Sequence, residues 1–234
     1  LCQERALMPK EKKTVYTLCV DNYAPEITEI TFPFMKRYAE KIEADFHVID
    51  TRKFPDMPNV YEKFQIYDLS VEHKNDWNIF FDADALIHPD FFDVTACINK
   101  DMTISNGTDF VPHRFRPNEY FKRDGRYIGK GNWLAIFSDW CRDYYKPLDI
   151  PKEEAIADIF PTVAETNFGI SPCHLIDDYT VSRNIARYGL KHMIVPDFDA
   201  TGLTKGLLAH QYLMPIEQKV VYLEKTLKEW KVSL

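Results

Sequence analysis

The run from Thr14 to Val20 is rich in β-branched and aromatic residues, the pattern of a strand. Further on, Ile27, Ile30, Phe34, Tyr38 and Ile42 recur three or four residues apart. That spacing lays one apolar stripe along a helix and predicts one within Pro25 to Ala44. Pro33 falls inside the stripe; proline lacks an amide hydrogen and crowds the preceding turn, so a kink or a later start is expected. Asp45 to Asp50 reads as a second short strand. Tyr61 to Val71 reads as a second helix, with Phe64, Tyr67 and Val71 on its buried face. Trp77 to Phe81 is apolar without alternation, as in a strand covered on both sides.

Strand, helix, strand, helix, strand is the order of an α/β domain with a mainly parallel sheet. Ligands of such sheets bind beyond the carboxyl ends of the strands. The middle of the chain is less regular: Asp109 to Pro112 and Trp133 to Ser138 read as strands, and Arg123-Asp124-Gly125-Arg126 as a turn. Asp177 to Tyr188 reads as a helix with Val181, Ile185 and Tyr188 on one face. In the last helix Ile216, Val220, Leu223, Leu227 and Trp230 form the stripe, and Pro215 suits the first helical position.

Charge and cysteine usage narrow the function. The formal net charge is −7, a poor match to nucleic acid or an anionic membrane, both of which need clustered Lys and Arg. A bound cation would reverse the local field of an acidic cleft, so a small anionic ligand stays compatible. Cys2, Cys19, Cys97, Cys141 and Cys173 are odd in number and contain no CxxC pair, which fits a reducing compartment and a cytoplasmic location. No run reaches the length of a membrane span, and Leu1 to Lys13 reads as a frayed leader. Asn106-Gly107-Thr108 matches a glycosylation acceptor, and Asn-Gly is more simply a turn.

The segment Asn78-Ile79-Phe80-Phe81-Asp82-Ala83-Asp84-Ala85-Leu86-Ile87 carries the chemistry. Strand side chains alternate, so Asp82 and Asp84 can point the same way from the end of an apolar strand. Two carboxylates there suit a hard cation such as Mn²⁺ or Mg²⁺, which shares its coordination with phosphates. The plainer reading is one capping aspartate and one solvated one; the apolar flanks on both sides weigh against it.

This segment, with Trp77 before it, resembles the DxD motif of GT-A fold glycosyltransferases, in the form of glycogenin-like and galactosyltransferase-like members. The likeness spans most of the chain: a strand opening near Thr14, the acidic pair at about one third of the length, and a late histidine. It implies a single GT-A domain over 14–234, with a Rossmann-like, mainly parallel sheet flanked by helices. Within it, 14–105 would bind the nucleotide-sugar and 106–234 the acceptor. By the same resemblance Thr17, Cys19, Val20, Asp21 and Tyr23, with Asn22, would meet the base and ribose, and Lys63 the donor phosphates. Ala83 lies within the motif, and His210 would be the third metal ligand beside Asp82 and Asp84. Lys205, between Gly202 and Gly206, would close over the diphosphate. Asp177 and Asp178 open a helix that faces the acceptor, with Asp178 as general base if the enzyme inverts; a retaining enzyme needs no such base. Glu165 and Asn167 would line the acceptor side. The implied partners are a UDP-sugar donor and a glycan or other hydroxyl acceptor.

Most of these residues also have ordinary readings: Asp177 and Asp178 as first-turn residues, Lys63 as an exposed helix lysine, Arg114, Arg116, Arg123 and Arg126 as solvated surface. Two other functions use the same residues. A haloacid-dehalogenase-type phosphatase would take Asp82 as nucleophile and Asp84 as acid, although that family usually carries the motif on its first strand. The second is a GT-A fold that binds nucleotide-sugar or glycan without turnover.

Overall fold

A computed structural model of the chain describes residues 10–106, 133–159, 166–167, 169, 171–194, 206–211 and 214–233. Its main sheet has six strands: β1 (Lys13–Leu18), β2 (Asp45–Ile49), β3 (Trp77–Phe81), β5 (Met102–Ser105), β6 (Leu134–Ser138) and β7 (Lys191–Ile194). The spatial order is β2-β1-β3-β6-β5-β7. β1 runs parallel to β2 and β3, and β5 parallel to β7, while β6 is antiparallel to both of its neighbours. The sheet is therefore mixed, with parallel pairings in the majority. A second, two-stranded antiparallel sheet joins β4 (Leu86–Ile87) to β8 (Leu208–Ala209).

Helix α1 (Pro25–Lys41) starts at Pro25 and runs through Pro33 as one element. The predicted late start is not found. Pro33 forfeits one backbone bond, and the burial of Met35 and Tyr38 against the main sheet and of Ile27, Ile30 and Phe34 against the small sheet outweighs that loss. The segment predicted as one helix over Tyr61 to Val71 is two: a 3₁₀ turn (Asn59–Gln65) and then α2 (Ile66–Glu72). Three residues per turn shift the phase of the apolar face. Tyr61, Phe64 and Ile66 are buried, whereas Val71 is 52% exposed, so the predicted stripe is wrong at its end. The tighter turn also buries Glu62 and Lys63.

Helix α3 (Lys152–Ala157) is short. Helix α4 (Ile176–Tyr188) ends at Gly189, whose φ of 63° costs a residue with a Cβ more than it costs glycine. Helix α5 (Ile216–Trp230) buries Leu223 and Leu227 from its predicted stripe; Pro215 caps it rather than opening it. The chain before Thr14 is not a free leader throughout: Lys13 belongs to β1, and the Lys12 amide and carbonyl bond Asp76 at 2.8 Å each. Asp109 to Pro112, the turn at 123–126 and Cys2 lie outside the described residues.

Both faces of the sheet are covered, as the unbroken burial of β3 shows. Tyr16, Phe80, Ala135 and Phe137 pack under the 3₁₀ turn and α4, and Val15, Ile79, Phe81 and Ile136 pack toward α1. A third cluster joins α1 and α5 to the small sheet through Ile27, Phe34, Leu86, Ala209, Leu223 and Leu227. It seats α5 beside the carboxyl end of β3. Asn106, 2% exposed, accepts the Leu134 amide on its side chain at 3.1 Å, which spends it on the end of β6. The four described cysteines are free, and no described helix is long and apolar enough to cross a membrane.

Candidate active site

The carboxyl end of β3 runs into a tight turn, Asp82 to Ala85, before β4. The Asp82 amide donates to the Trp133 carbonyl at 2.8 Å, and the Ala85 amide to the Asp82 carbonyl at 2.9 Å. The antiparallel register pairs Leu86 with Ala209. One further step sets His210 opposite Ala85, next to Asp84. A residue more than 120 positions away thus arrives at the acidic pair because two short strands zip together.

The ligand atoms of Asp82, Asp84 and His210 lie within 4.8 Å of one another. His210 Nε2 is 3.3 Å from Asp84 Oδ1, and its ring stacks on Trp133 with centroids 5.0 Å apart and planes 9° apart. Asp84 is nearly buried, while the Asp82 side chain keeps 30% of its exposure and opens the cluster to solvent. Two carboxylates and an imidazole are a donor set that Mn²⁺ accepts, and the open Asp82 side leaves room for oxygens from a ligand.

Two lysines flank the pair. Lys63 Nζ lies 3.3 Å from Asp82 Oδ1 and 2.9 Å from Asp177 Oδ2, with its side chain only 1% exposed. Lys219 from α5 is ion-paired to Asp84 Oδ2. Burial works against the Lys63 ammonium, but the charges of Asp177 and Asp82 outweigh it and lift its pKa above the ordinary lysine value. Burial likewise pushes the Asp82 carboxyl up, ahead of the lowering charge of Lys63 and the raising charge of Asp84. For Asp84 burial is outweighed by the hydrogen bond and charge of His210 and by Lys219, so its carboxyl lies well below the usual range. Within the pair, Asp84 is thus the firmly ionised member.

Thr17 is buried in β1, and its hydroxyl has no protein partner among the described residues. Cys19 extends β1 through its amide, which donates to Ile49 O at 2.9 Å, and Val20 is buried. Asp21, Asn22 and Ala24 hold positive φ values of 55°, 54° and 33°, so the chain bends sharply off β1. Asp21 is ion-paired to Arg52 at 3.2 Å. Tyr23 sits beside the acidic pair: burial first, then the charges of Asp84 and Asp82, push its phenol above the ordinary value.

Lys63 is no exposed helix lysine but the most buried charge of the site. Asp177 is joined to it, which brings the start of α4 to the acidic pair, and the Asp178 charge also reaches Lys63. Asn167 is exposed. Glu165, Lys205, Gly202 and the four arginines lie outside the described residues. Sequence reading missed Lys219, which sits beside the apolar stripe of α5 as any helix lysine would. It also missed Tyr145, a buried phenol near Asp82, Asp177 and Asp178 whose hydroxyl has no partner among the described residues.

No family model and no curated protein matches this sequence. Among solved structures, the fold is similar to that of a glycosyltransferase involved in the glycosylation of the major capsid of PBCV-1. The two share 8% identity and a TM-score of 0.55 over 92% of this chain and 99% of that one. The galactosyltransferase LgtC, solved in complex with donor and acceptor sugar analogs, matches at 12% identity and a TM-score of 0.44, over 76% of this chain and 72% of that one. At such identities the likeness is one of fold: this chain is an α/β domain with a mixed, mainly parallel sheet whose fold resembles that of the capsid-modifying glycosyltransferase, and it carries an Asp-Asp-His cluster that could hold a divalent cation.

Proposed function

We propose that this chain is a metal-dependent glycosyltransferase that moves a sugar from a UDP-sugar to a hydroxyl of an acceptor, a glycan. The observation that carries this reading is the convergence of Asp82, Asp84 and His210 at the carboxyl end of β3, in a sheet of this fold.

Asp82, Asp84 and His210 would hold Mn²⁺ or Mg²⁺, with Asp82 on the open side toward the donor. The cation supplies charge neutralisation of a diphosphate leaving group. Lys63 keeps Asp82 and Asp177 in register and adds a fixed positive charge at the same edge. Tyr23 and the bend at Asp21 and Asn22 frame the side where the nucleoside would lie. In transfer, the bond from the anomeric carbon to the phosphate oxygen breaks with its electrons on the diphosphate. The acceptor oxygen then bonds that carbon, and for an inverting course its proton passes to Asp178. Lys205, Glu165 and Asn167 complete the proposal on the diphosphate and acceptor sides.

Thermal unfolding with a panel of nucleotides and nucleotide-sugars, with Mn²⁺ and again with EDTA, tests it. At one hundred times its dissociation constant a ligand stabilises the fold by about 2.7 kcal/mol. For a chain of this size that is a midpoint shift of roughly 5 to 10 °C. A shift with UDP or a UDP-sugar that needs Mn²⁺ is the expected result; no shift with any nucleotide, with or without metal, would sink the reading. Asp178→Asn should reduce transfer far more than donor binding, and equal loss of both would remove Asp178 from the base role.

A further inference from the structure

The turn that presents the acidic pair is held by backbone bonds at Asp82 and Ala85, and also by a side chain from another element. The Thr31 hydroxyl, on α1, donates to the Ala83 carbonyl at 2.5 Å. Thr31 is fully buried and Ala83 is 5% exposed, so water does not compete for this bond. Thr31 also lies 3.2 Å from the Ile27 carbonyl one turn back in its own helix. A hydroxyl carries one proton, and the shorter contact takes it. Threonine in a helix ordinarily bonds back to its own helix. Here the bond is directed outward, 52 residues along the chain, to the peptide between Ala83 and Asp84.

We propose that Thr31 is a positioning residue for the cation site; this rests on reading Asp82, Asp84 and His210 as that site. The Ala83 carbonyl belongs to the rigid peptide plane linking Ala83 to Asp84. Anchoring its oxygen fixes the rotation of that plane, and so the direction in which the Asp84 side chain leaves the turn relative to Asp82. Binding constellations work only within roughly 0.5 Å and 10 to 20° of their productive geometry. Without the Thr31 hydroxyl a buried carbonyl loses its donor, and the plane is free to turn toward another one.

The test is a titration of the full chain with Mn²⁺ alone, following free Mn²⁺ by electron paramagnetic resonance, beside the thermal midpoint in EDTA. Thr31→Val keeps the shape and removes the donor; Thr31→Ser keeps the donor and removes a methyl; Asp84→Asn is the control for the site. Thr31→Val should bind Mn²⁺ about tenfold more weakly, Thr31→Ser within about twofold of the parent, and Asp84→Asn not measurably. A residue that merely packs would lower the midpoint and leave the Mn²⁺ affinity alone. Parent-like affinity in Thr31→Val overturns the inference, and so does equal weakening in the valine and serine variants. If Thr31→Val does not fold, Thr31→Ala and Thr31→Ser decide on the same terms. A parent chain that fails to bind Mn²⁺ overturns the cation site itself and this inference with it. A parent that binds beside an unchanged Thr31→Val removes Thr31 alone.

Discussion

Asp82 and Asp84 are two residues apart on one turn, yet their surroundings differ. Asp82 stands partly open to solvent beside Lys63, a buried ammonium that it shares with Asp177. Asp84 is enclosed between His210 and Lys219, with a partner on each of its oxygens. In the Lys63 flank the ammonium and the Asp177 carboxylate are buried together, so each needs the other's charge. The Lys219 flank adds a cation from a helix that packs against α1 and the small sheet. The first flank carries the most buried charge of the site; the second sets the charge of Asp84.

Removing the ammonium from the first flank should have the largest effect. Lys63→Met leaves the Asp177 carboxylate buried without its ion partner, a loss of about 3 to 5 kcal/mol. Chemical denaturation should show it with or without Mn²⁺. A stability within about 1 kcal/mol of the parent would contradict the charge dependence given to this flank.

The histidines extend the contrast. His192, on β7, bonds the Thr103 and Ser105 hydroxyls through its two ring nitrogens, at 2.8 and 3.1 Å. Burial pushes its pKa down to about 4. An unfolded histidine takes a proton below about pH 6.5, and this folded one does so only near pH 4. Its contribution is therefore whole above the unfolded value and is lost as the pH falls between the two. The stability of His192→Gln should fall less over that window than the parent's. His210, in contrast, sits against carboxylates, and its replacement should be read in metal binding.

Next comes the acidic pair. Asp84→Asn should abolish the Mn²⁺-dependent stabilisation by nucleotide, about 2.7 kcal/mol at saturating ligand, judged against the variant's own midpoint in EDTA, which falls because His210 and Lys219 lose their ion partner. A retained Mn²⁺-dependent shift would move the cation elsewhere.

The smallest effect has the opposite sign. Lys219→Met removes an ammonium that competes for Asp84 Oδ2, so Mn²⁺ alone should bind about tenfold more tightly, roughly 1.4 kcal/mol. Weaker binding would mean that Lys219 holds Asp84 in place rather than competing for it, and the two flanks would then be alike.

The parallel half of the fold is legible in the chain. The uninterrupted apolar run of β3 and the stripes of α1 and α5 report burial directly, because strand and helix periods are written in neighbouring residues. The acidic pair is legible for the same reason: its two carboxylates stand at the end of a strand that can be read. The stripe through Val71 fails because a 3₁₀ turn and an α-helix carry different periods, and the residues that choose between them are the packing partners. That same choice turns Lys63 inward, where its sequence reads as a surface lysine.

What the sequence by itself determined is thus the α/β order of elements and the place of the carboxylates along it. The tertiary structure alone decided which distant groups meet them. Asp177 reaches Lys63 from the start of α4, His210 reaches Asp84 through a two-residue strand pairing, Lys219 comes in on α5, and Thr31 bonds across from α1. None of these contacts lies within a helical turn or along a strand, where periodicity can register it. They form when the apolar faces of separate elements pack, and that free energy belongs to the assembled core rather than to any local run of residues.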